Sequence, residues 1–371
     1  MKVLHIITGN DNGGGGMHVL NICKYSNNFN NILGCIGEGY LYKKAKKERV
    51  NTILFGNKIN NKQVVEYINE NKIDIVNFHG AKAFLIHRVL RNKIKAFTLA
   101  TVHSDYRYDF MNNKIKHLLF TPLSKYGLKS FNNYMCVSNY IKNILEENNF
   151  LGDKCVVNNG INLNNIEITK TKEEIRKKYN IPENTFIFVI VARMHPVKNH
   201  SGLINAFCKF RDTVGDAKLV VVGEGELKEK LKNQVIQLKI EEDVIFTEFV
   251  ENPIDIINAS DISMLTSFNE GGSPPIVILE SGAVKTTVIS SKVGDIEKNF
   301  NDKMIFIIDN NSEEEIYKKM KEAYLKKDVI GIMGQELCKE VTSNYNIEKF
   351  CNTYYSFYKK IIEINKSKSG V

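Results

Sequence analysis

The sequence predicts an α/β protein built from two doubly wound domains in tandem. Three observations carry that expectation. Short β-branched apolar runs alternate with amphipathic helical stretches along the chain. The alternation starts afresh after a turn-rich stretch, Asn158-Asn159-Gly160-Ile161-Asn162-Leu163-Asn164-Asn165. The length, 371 residues, suffices for about two domains.

In the first series the apolar runs at 3–7, 32–36, 52–54, 73–78, 96–100, 134–137 and 155–157 read as strands. Helical patterns fall between them, for example over 18–25, 63–71 and 83–91. After a Lys/Glu-rich helix at 171–179, the second series has strands at 186–191, 219–222, 244–246, 262–265, 287–289 and 304–307. Its helices lie around 201–211, 227–238, 276–284 and 313–326. A final amphipathic stretch, 347–364, has no strand to follow and needs a surface to cover, which places it across the domain junction. The expected division is 1–165, completed by 347–371, and 166–346.

Composition narrows the function classes. With 43% hydrophobic and 25% charged residues the chain is neither disordered nor collagen-like. Its seven cysteines are odd in number and scattered, without a Cys-x-x-Cys pair, which argues against a disulfide framework and a zinc site. No signal-peptide pattern or apolar run near the ~20 residues of a membrane span is seen, so a reducing cytoplasm is expected. Charge is lopsided: residues 1–165 hold 22 Lys and Arg against 11 Asp and Glu, leaving 29 against 31 for the rest. The excess gathers in Lys43 to Arg49, in Lys82 to Lys95, and in the segment from Tyr106 to Lys129, where Arg107, Lys114 and Lys116 interleave with Leu118, Leu119 and Phe120. Such a mixture suits an anionic membrane surface or nucleic acid. With no zinc-finger spacing, RNA-recognition signature or helix-turn-helix, the membrane surface is the expected partner and nucleic acid is not.

Several stretches can carry chemistry. Gly13-Gly14-Gly15-Gly16 follows the first strand and feeds a helix, so its amides suit a phosphate or sugar-phosphate. The same loop could be a plain turn or, less well spaced, a nicotinamide-dinucleotide site, with Glu38 as the acid after the second strand. Arg193 and Lys198 leave the strand at 186–191 together, at the edge where open α/β sheets bind ligands. A guanidinium fork and an ammonium point charge suit a diphosphate, although surface cations often do no more than face water. Ser273, followed by Pro274-Pro275, is expected to cap a helix whose amides face that edge, with Ile276 in its first turn. Glu280 sits on the same apolar helix, where a carboxylate is costly unless bonded; two ribose hydroxyls, or a nearby lysine, would serve. His103, in Thr101-Val102-His103, ends a first-domain strand and would face the inter-domain cleft. His79 and His87 are left to structural roles. There is no Asp-x-Asp pair for a metal-bound nucleotide sugar, so no metal cofactor is expected.

With these residues in place, the chain resembles the family 4 glycosyltransferases, which are retaining enzymes of GT-B fold. The resemblance rests on Gly13-Gly14 with His18-Val19-Leu20-Asn21, Asp74-Ile75-Val76, His79-Gly80, Thr101-Val102-His103, Val137-Ser138 and Asn159-Gly160-Ile161. It continues through Val191-Ala192-Arg193, Lys198, Val222-Gly223-Glu224-Gly225, Ala259-Ser260-Asp261-Ile262, Ser267, Glu270 and Glu280. It implies that Arg193 and Lys198 hold a diphosphate and Glu280 the ribose. Glu270 with the Gly271-Gly272 backbone would hold the transferred sugar, His103 would contact that sugar, and Gly14, Gly15 and Gly16 would lie near phosphates and acceptor. Two departures stand out: Glu270 and Glu280 enclose nine residues, more than is usual in the family, and Glu248 stands where the family commonly has glycine. The expected function is transfer of a hexose or N-acetylhexosamine from a nucleotide-diphosphate sugar, UDP-linked, to a glycan or lipid-linked acceptor in bacterial surface polysaccharide (capsule) synthesis. A non-catalytic partner subunit and an NAD-dependent oxidoreductase are the alternatives.

Overall fold

The computed structural model describes residues 1–59, 62–107, 114–248, 250, 252–271 and 273–369, the side chains at 114–117, 119–120 and 365–369 excepted. Packing divides the chain into two units: 1–160 with 271–273 and 347–371, and 161–270 with 274–346.

Among the described residues the first unit holds seven strands: β1 (Lys2–Thr8), β2 (Asn30–Ile36), β3 (Thr52–Phe55), β4 (Ile75–His79), β5 (Phe97–Val102), β6 (Asn133–Cys136) and β7 (Asp153–Val156). They form one sheet in the order β3-β2-β1-β4-β5-β6-β7, and every pairing is parallel. The described residues of the second unit hold six: β8 (Phe186–Val191), β9 (Ala217–Val222), β10 (Val244–Phe246), β11 (Ile262–Leu265), β12 (Thr287–Ser291) and β13 (Ile305–Ile308). Their order is β10-β9-β8-β11-β12-β13, again all parallel. Both are doubly wound, the Rossmann-like topology that the alternation predicts. Parallel strands need helical crossovers, which cover both faces and explain why the strands read as unbroken apolar runs. In each sheet the strand order reverses beside the first strand, between β1 and β4 and between β8 and β11; such reversals open a crevice at the carboxyl edge.

Local signals set several helix starts. Thr171 and Glu174 form a reciprocal capping box on helix Lys172–Lys178, and the Ser138 hydroxyl accepts from the Ile141 amide at 3.1 Å. The last helix, Ile347–Ser369, presents Phe350, Tyr354, Phe357, Tyr358 and Ile361 as one stripe, at the spacing of a helix face. That stripe packs on Val3, Ile75, Leu99 and Met135, so the surface it covers is a face of the first sheet. The opposite face carries Leu4, Ile6, Val76, Phe78, Ala100 and Tyr134 in a separate core.

Toward the carboxyl edge the covered face turns polar. His5, Asn77 and Thr101 are fully buried and belong to adjacent strands. Thr101 Oγ1 donates to Asn77 Oδ1 at 2.9 Å, and Asn77 Nδ2 donates to the Tyr358 hydroxyl at 2.9 Å. His18 of helix Gly14–Tyr25 lies 2.7 Å from the Tyr354 hydroxyl. Burial pushes the imidazoles of His5 and His103 down to about 4 and those of His18 and His87 to about 3.

These shifts predict an acid-labile fold. An unfolded histidine takes a proton near pH 6.5 whereas these do so only near 4 or 3, so unfolding takes up protons between those limits. The stability present above pH 6.5 should fall as pH drops through the window, by about 1.4 kcal/mol per pH unit for each such histidine. Calorimetric melting at pH 7.5, 6.5 and 5.5 tests this: Tm should decline steadily below 6.5, and a flat Tm would contradict the buried neutral histidines.

Candidate functional site

In the first unit, the loop after β1 leads into helix Gly14–Tyr25 with Gly13 as its cap residue. Asp11 Oδ1 accepts from the Gly13 amide at 2.9 Å and the Gly16 amide at 3.2 Å. The helix N-terminus, expected to meet a phosphate, therefore already faces a carboxylate of the protein's own, and the amides left open are those of Gly14 and Gly15. A Cβ on Gly15 would stand 3.4 Å from the His103 ring, whereas one on Gly16 would press within 3.0 Å of Asp11. Gly9 is a packing glycine, since a Cβ there would fall 1.9 Å from the Gly37 carbonyl oxygen.

His103 follows β5 and is half-buried, with Nε2 2.9 Å from His79 Nδ1. The His18 ring stands edge-on to it at 4.8 Å. Gly271, which packs with this unit, lies against His103: a Cβ would come 1.9 Å from the His103 carbonyl oxygen, so only glycine fits. The structure thus brings Gly14, Gly15, Gly16, His103 and Gly271 together. Gly272 lies outside the described residues.

In the second unit, the chain leaving β8 is laced to the chain leaving β9. The Ala192 amide donates to Val222 O at 3.1 Å and the Met194 amide to Glu224 O at 2.9 Å. Gly223, at φ +139°, and Gly225 allow this approach; a Cβ would come 2.3 Å from Ala192 O at the one and 2.4 Å from Met194 O at the other. Arg193, held between these contacts, is exposed and has no ion-pair partner among the described residues. A short turn, Pro196–Lys198, follows, and Asn199 takes the left-handed conformation at φ 55°.

Lys198 Nζ and Glu270 Oε1 form a mostly buried ion pair, and the Ser267 hydroxyl donates to the same oxygen at 2.6 Å. The Phe268 amide donates to Val197 O at 2.8 Å, tying the loop after β11 to the loop after β8. Two residues assigned separately, one to a diphosphate and one to a sugar, therefore meet each other across the strand-order reversal.

Helix Ile276–Ala283 begins later than the Ser273 cap expectation. Its cap residue is Pro275, at φ −55° and ψ 140°, without a side-chain cap bond. A residue preceding proline is pushed out of the helical region, so Pro274, before Pro275, cannot open the helix that a Ser273 cap would require. Ser273 also spends its backbone elsewhere, its amide on Val137 O and its carbonyl on the Asn159 amide. Ile276 opens the helix. Glu280, one turn on, is half-buried and its carboxylate bonds no protein group among the described residues; burial raises its pKa to about 7. A diol is a fitting ligand for such a group, because it supplies two donors to a carboxylate that has none.

Sequence reasoning missed three contributors. Asp11 carries a readable signal, an Asx residue two positions before glycine. Ser267 stands in the sequence only as part of a pattern, which does not show its bond to Glu270. His79 reads as structural, and nothing in its neighbours in sequence foretells that it meets His103.

Comparison with known proteins supplies a family. The model described as Glycosyl transferases group 1 matches residues 171–343, and that described as Glycosyltransferase Family 4 matches residues 50–165. An uncharacterized glycosyltransferase of Methanocaldococcus jannaschii is 24% identical over 255 residues, 67% of this chain and 64% of its own length. The alpha-monoglucosyldiacylglycerol synthase of Streptococcus pneumoniae is 25% identical over 224 residues, 58% of this chain and 51% of its own length. The match thus spans less than two thirds of either relative. Among solved structures, Anabaena Alr3699/HepE in complex with UDP and glucose superposes with a TM-score of 0.83 at 15% identity, covering 97% of this chain and 100% of that one, a likeness of fold.

The environment of Glu280 yields a stability prediction. A carboxyl whose pKa is raised from 4.5 to about 7 destabilises the folded state above pH 4.5. Glu280→Gln should therefore stabilise the ligand-free protein at pH 8, by about 1–2 kcal/mol after allowance for partial exposure, with the gain vanishing near pH 4.5. Denaturant titration of both proteins at the two pH values checks it; a less stable variant at pH 8 would mean that Glu280 has a stabilising partner.

Proposed function

The chain belongs to the group 1 glycosyltransferases, and we propose that it transfers a hexose or N-acetylhexosamine, with retention of configuration, from a nucleotide-diphosphate sugar to a glycan or lipid-linked acceptor. The observation that carries this reading is the convergence of Arg193, the Lys198–Glu270 pair and the unpartnered carboxylate of Glu280 on the loops and helix that follow β8 and β11. Anabaena Alr3699/HepE, of the same fold, binds UDP and glucose, which supports a UDP-linked donor.

In this reading the diphosphate takes Arg193 and draws Lys198 away from Glu270, and the freed carboxylate accepts from sugar hydroxyls. Glu280 accepts from the ribose diol. The cations stabilise charge on the departing diphosphate, whose oxygen on the same face accepts the acceptor's proton. No metal is required, since Arg193 and Lys198 supply the positive charge. Replacing Arg193 by Ala removes a charge-assisted contact worth about 1.5–3 kcal/mol, so kcat/KM for the donor should fall more than tenfold while Tm is unchanged, and wild-type turnover should persist in EDTA. Donor kinetics unaffected by Arg193→Ala, or turnover abolished by EDTA and restored by magnesium, would refute the corresponding part.

The Streptococcus pneumoniae relative is named for a diacylglycerol product, and this supports a membrane-proximal acceptor. No helix among the described residues is long and apolar enough to cross a membrane. Helix Lys114–Leu128 exposes Leu118, Leu123 and Tyr126, and Arg88 lies over the Tyr126 ring at 4.1 Å. Arg107 does not add a free cation to this surface, because it forks onto the buried Asp105 carboxylate at 2.7–3.0 Å. The side chains of Lys114, Lys116, Leu119 and Phe120 lie outside the description. Peripheral docking through the basic first unit should appear as co-sedimentation with anionic vesicles at low salt, lost at high salt and absent with neutral vesicles. Equal binding to both vesicle types, or to neither, would count against it.

A further inference from the structure

Four buried or half-buried side chains of the first unit line up behind His103. Asn31 Oδ1 lies 3.0 Å from His5 Nε2, His5 Nδ1 lies 3.1 Å from His79 Nε2, and His79 Nδ1 lies 2.9 Å from His103 Nε2. His5 and His79 are buried, as is Asn31. Each neutral imidazole has one N–H and one lone pair, so such a row can run in one direction or the other but not both.

Asn31 decides the direction. Its Nδ2 donates to the Ile22 carbonyl oxygen at 3.3 Å, which fixes Oδ1 toward His5. A carbonyl oxygen only accepts, so His5 must carry its proton on Nε2 and offer Nδ1 as a lone pair. His79 then donates from Nε2 and accepts at Nδ1, and His103 donates from Nε2. The reverse order would set the lone pairs of His5 Nε2 and Asn31 Oδ1 against each other at 3.0 Å without a proton between them.

We infer that Asn31, His5 and His79 are positioning residues that lock His103 as the Nε2–H tautomer, leaving its Nδ1 a fixed hydrogen-bond acceptor for a hydroxyl of the transferred sugar. Burial keeps the imidazoles neutral at physiological pH, with His5 and His103 lowered to about 4 and His79 lower than its ordinary value. His103 Nδ1 bonds no protein group among the described residues. A lone pair there accepts from an O–H. The sugar part rests on the glycosyltransferase reading above; the tautomer part does not.

The experiment uses the whole protein labelled with [15N]histidine. Long-range 1H–15N spectra at pH 7.5 should show His5, His79 and His103 as Nε2–H tautomers, assigned by the signals lost in single histidine-to-glutamine variants. Asn31→Leu should release the row and shift His103 to a mixture of tautomers, with donor KM raised severalfold, whereas Asn31→Asp, which keeps an acceptor, should restore both. A wild-type His103 protonated on Nδ1, or a His103 tautomer indifferent to Asn31→Leu, overturns the relay. If Asn31→Leu does not fold, the wild-type spectrum alone decides. Failure with every nucleotide sugar, the spectrum being as stated, overturns the glycosyltransferase reading and leaves the relay standing.

Discussion

Polar groups sealed inside a protein must find their hydrogen bonds there, and that demand organises the first unit. His5, Asn77 and Thr101 occupy neighbouring strands on a face from which water is excluded. Each one left unbonded would cost about 1–3 kcal/mol, a sizeable fraction of a domain's whole stability. The partners come from three directions: Asn31 at the start of β2, His79 at the end of β4, and the hydroxyls of Tyr354 and Tyr358 on the last helix. The helix Ile347–Ser369 is therefore more than an apolar cover. Its two tyrosines close a polar layer that an all-leucine stripe would leave open.

The second unit meets a different electrostatic problem by a different route. Lys198 and Glu270 neutralise each other and Ser267 donates to the same Glu270 oxygen, so the crevice holds no uncompensated charge at that point. Arg193 and Glu280 have no such arrangement. One is an exposed cation set on a loop fixed by Gly223 and Gly225; the other is a desolvated acid. A desolvated acid held without a partner is a usual mark of a binding site, where the stability given up locally is recovered when the partner arrives.

Much of this was legible in the sequence, because a parallel sheet buried on both faces leaves a strong local trace in its β-branched runs. Arg193, Lys198 and Glu280 could be placed at the sheet edge for the same reason. What escaped was non-local. His5 meets His79 across 74 residues and His18 meets Tyr354 across 336, distances over which no periodicity speaks. Ser273 shows a local rule overridden: its type and place suit a cap, but two prolines and a backbone engaged elsewhere move the helix start to Ile276.

The return of the last helix to the first sheet also sets an order of events during synthesis. Strands β1 to β7 are complete by Val156, yet the face bearing Val3, Ile75 and Leu99, which Ile22 and Phe29 cover in part, stays open elsewhere until Phe350 and Tyr358 have been made. At about 5–20 residues per second, roughly 190 further residues take on the order of 10–40 s. Throughout that interval a nascent chain carries an open apolar and polar face while the second unit is still being added. The first unit is thus a late-closing assembly, finished only after the strands of the second have all been made.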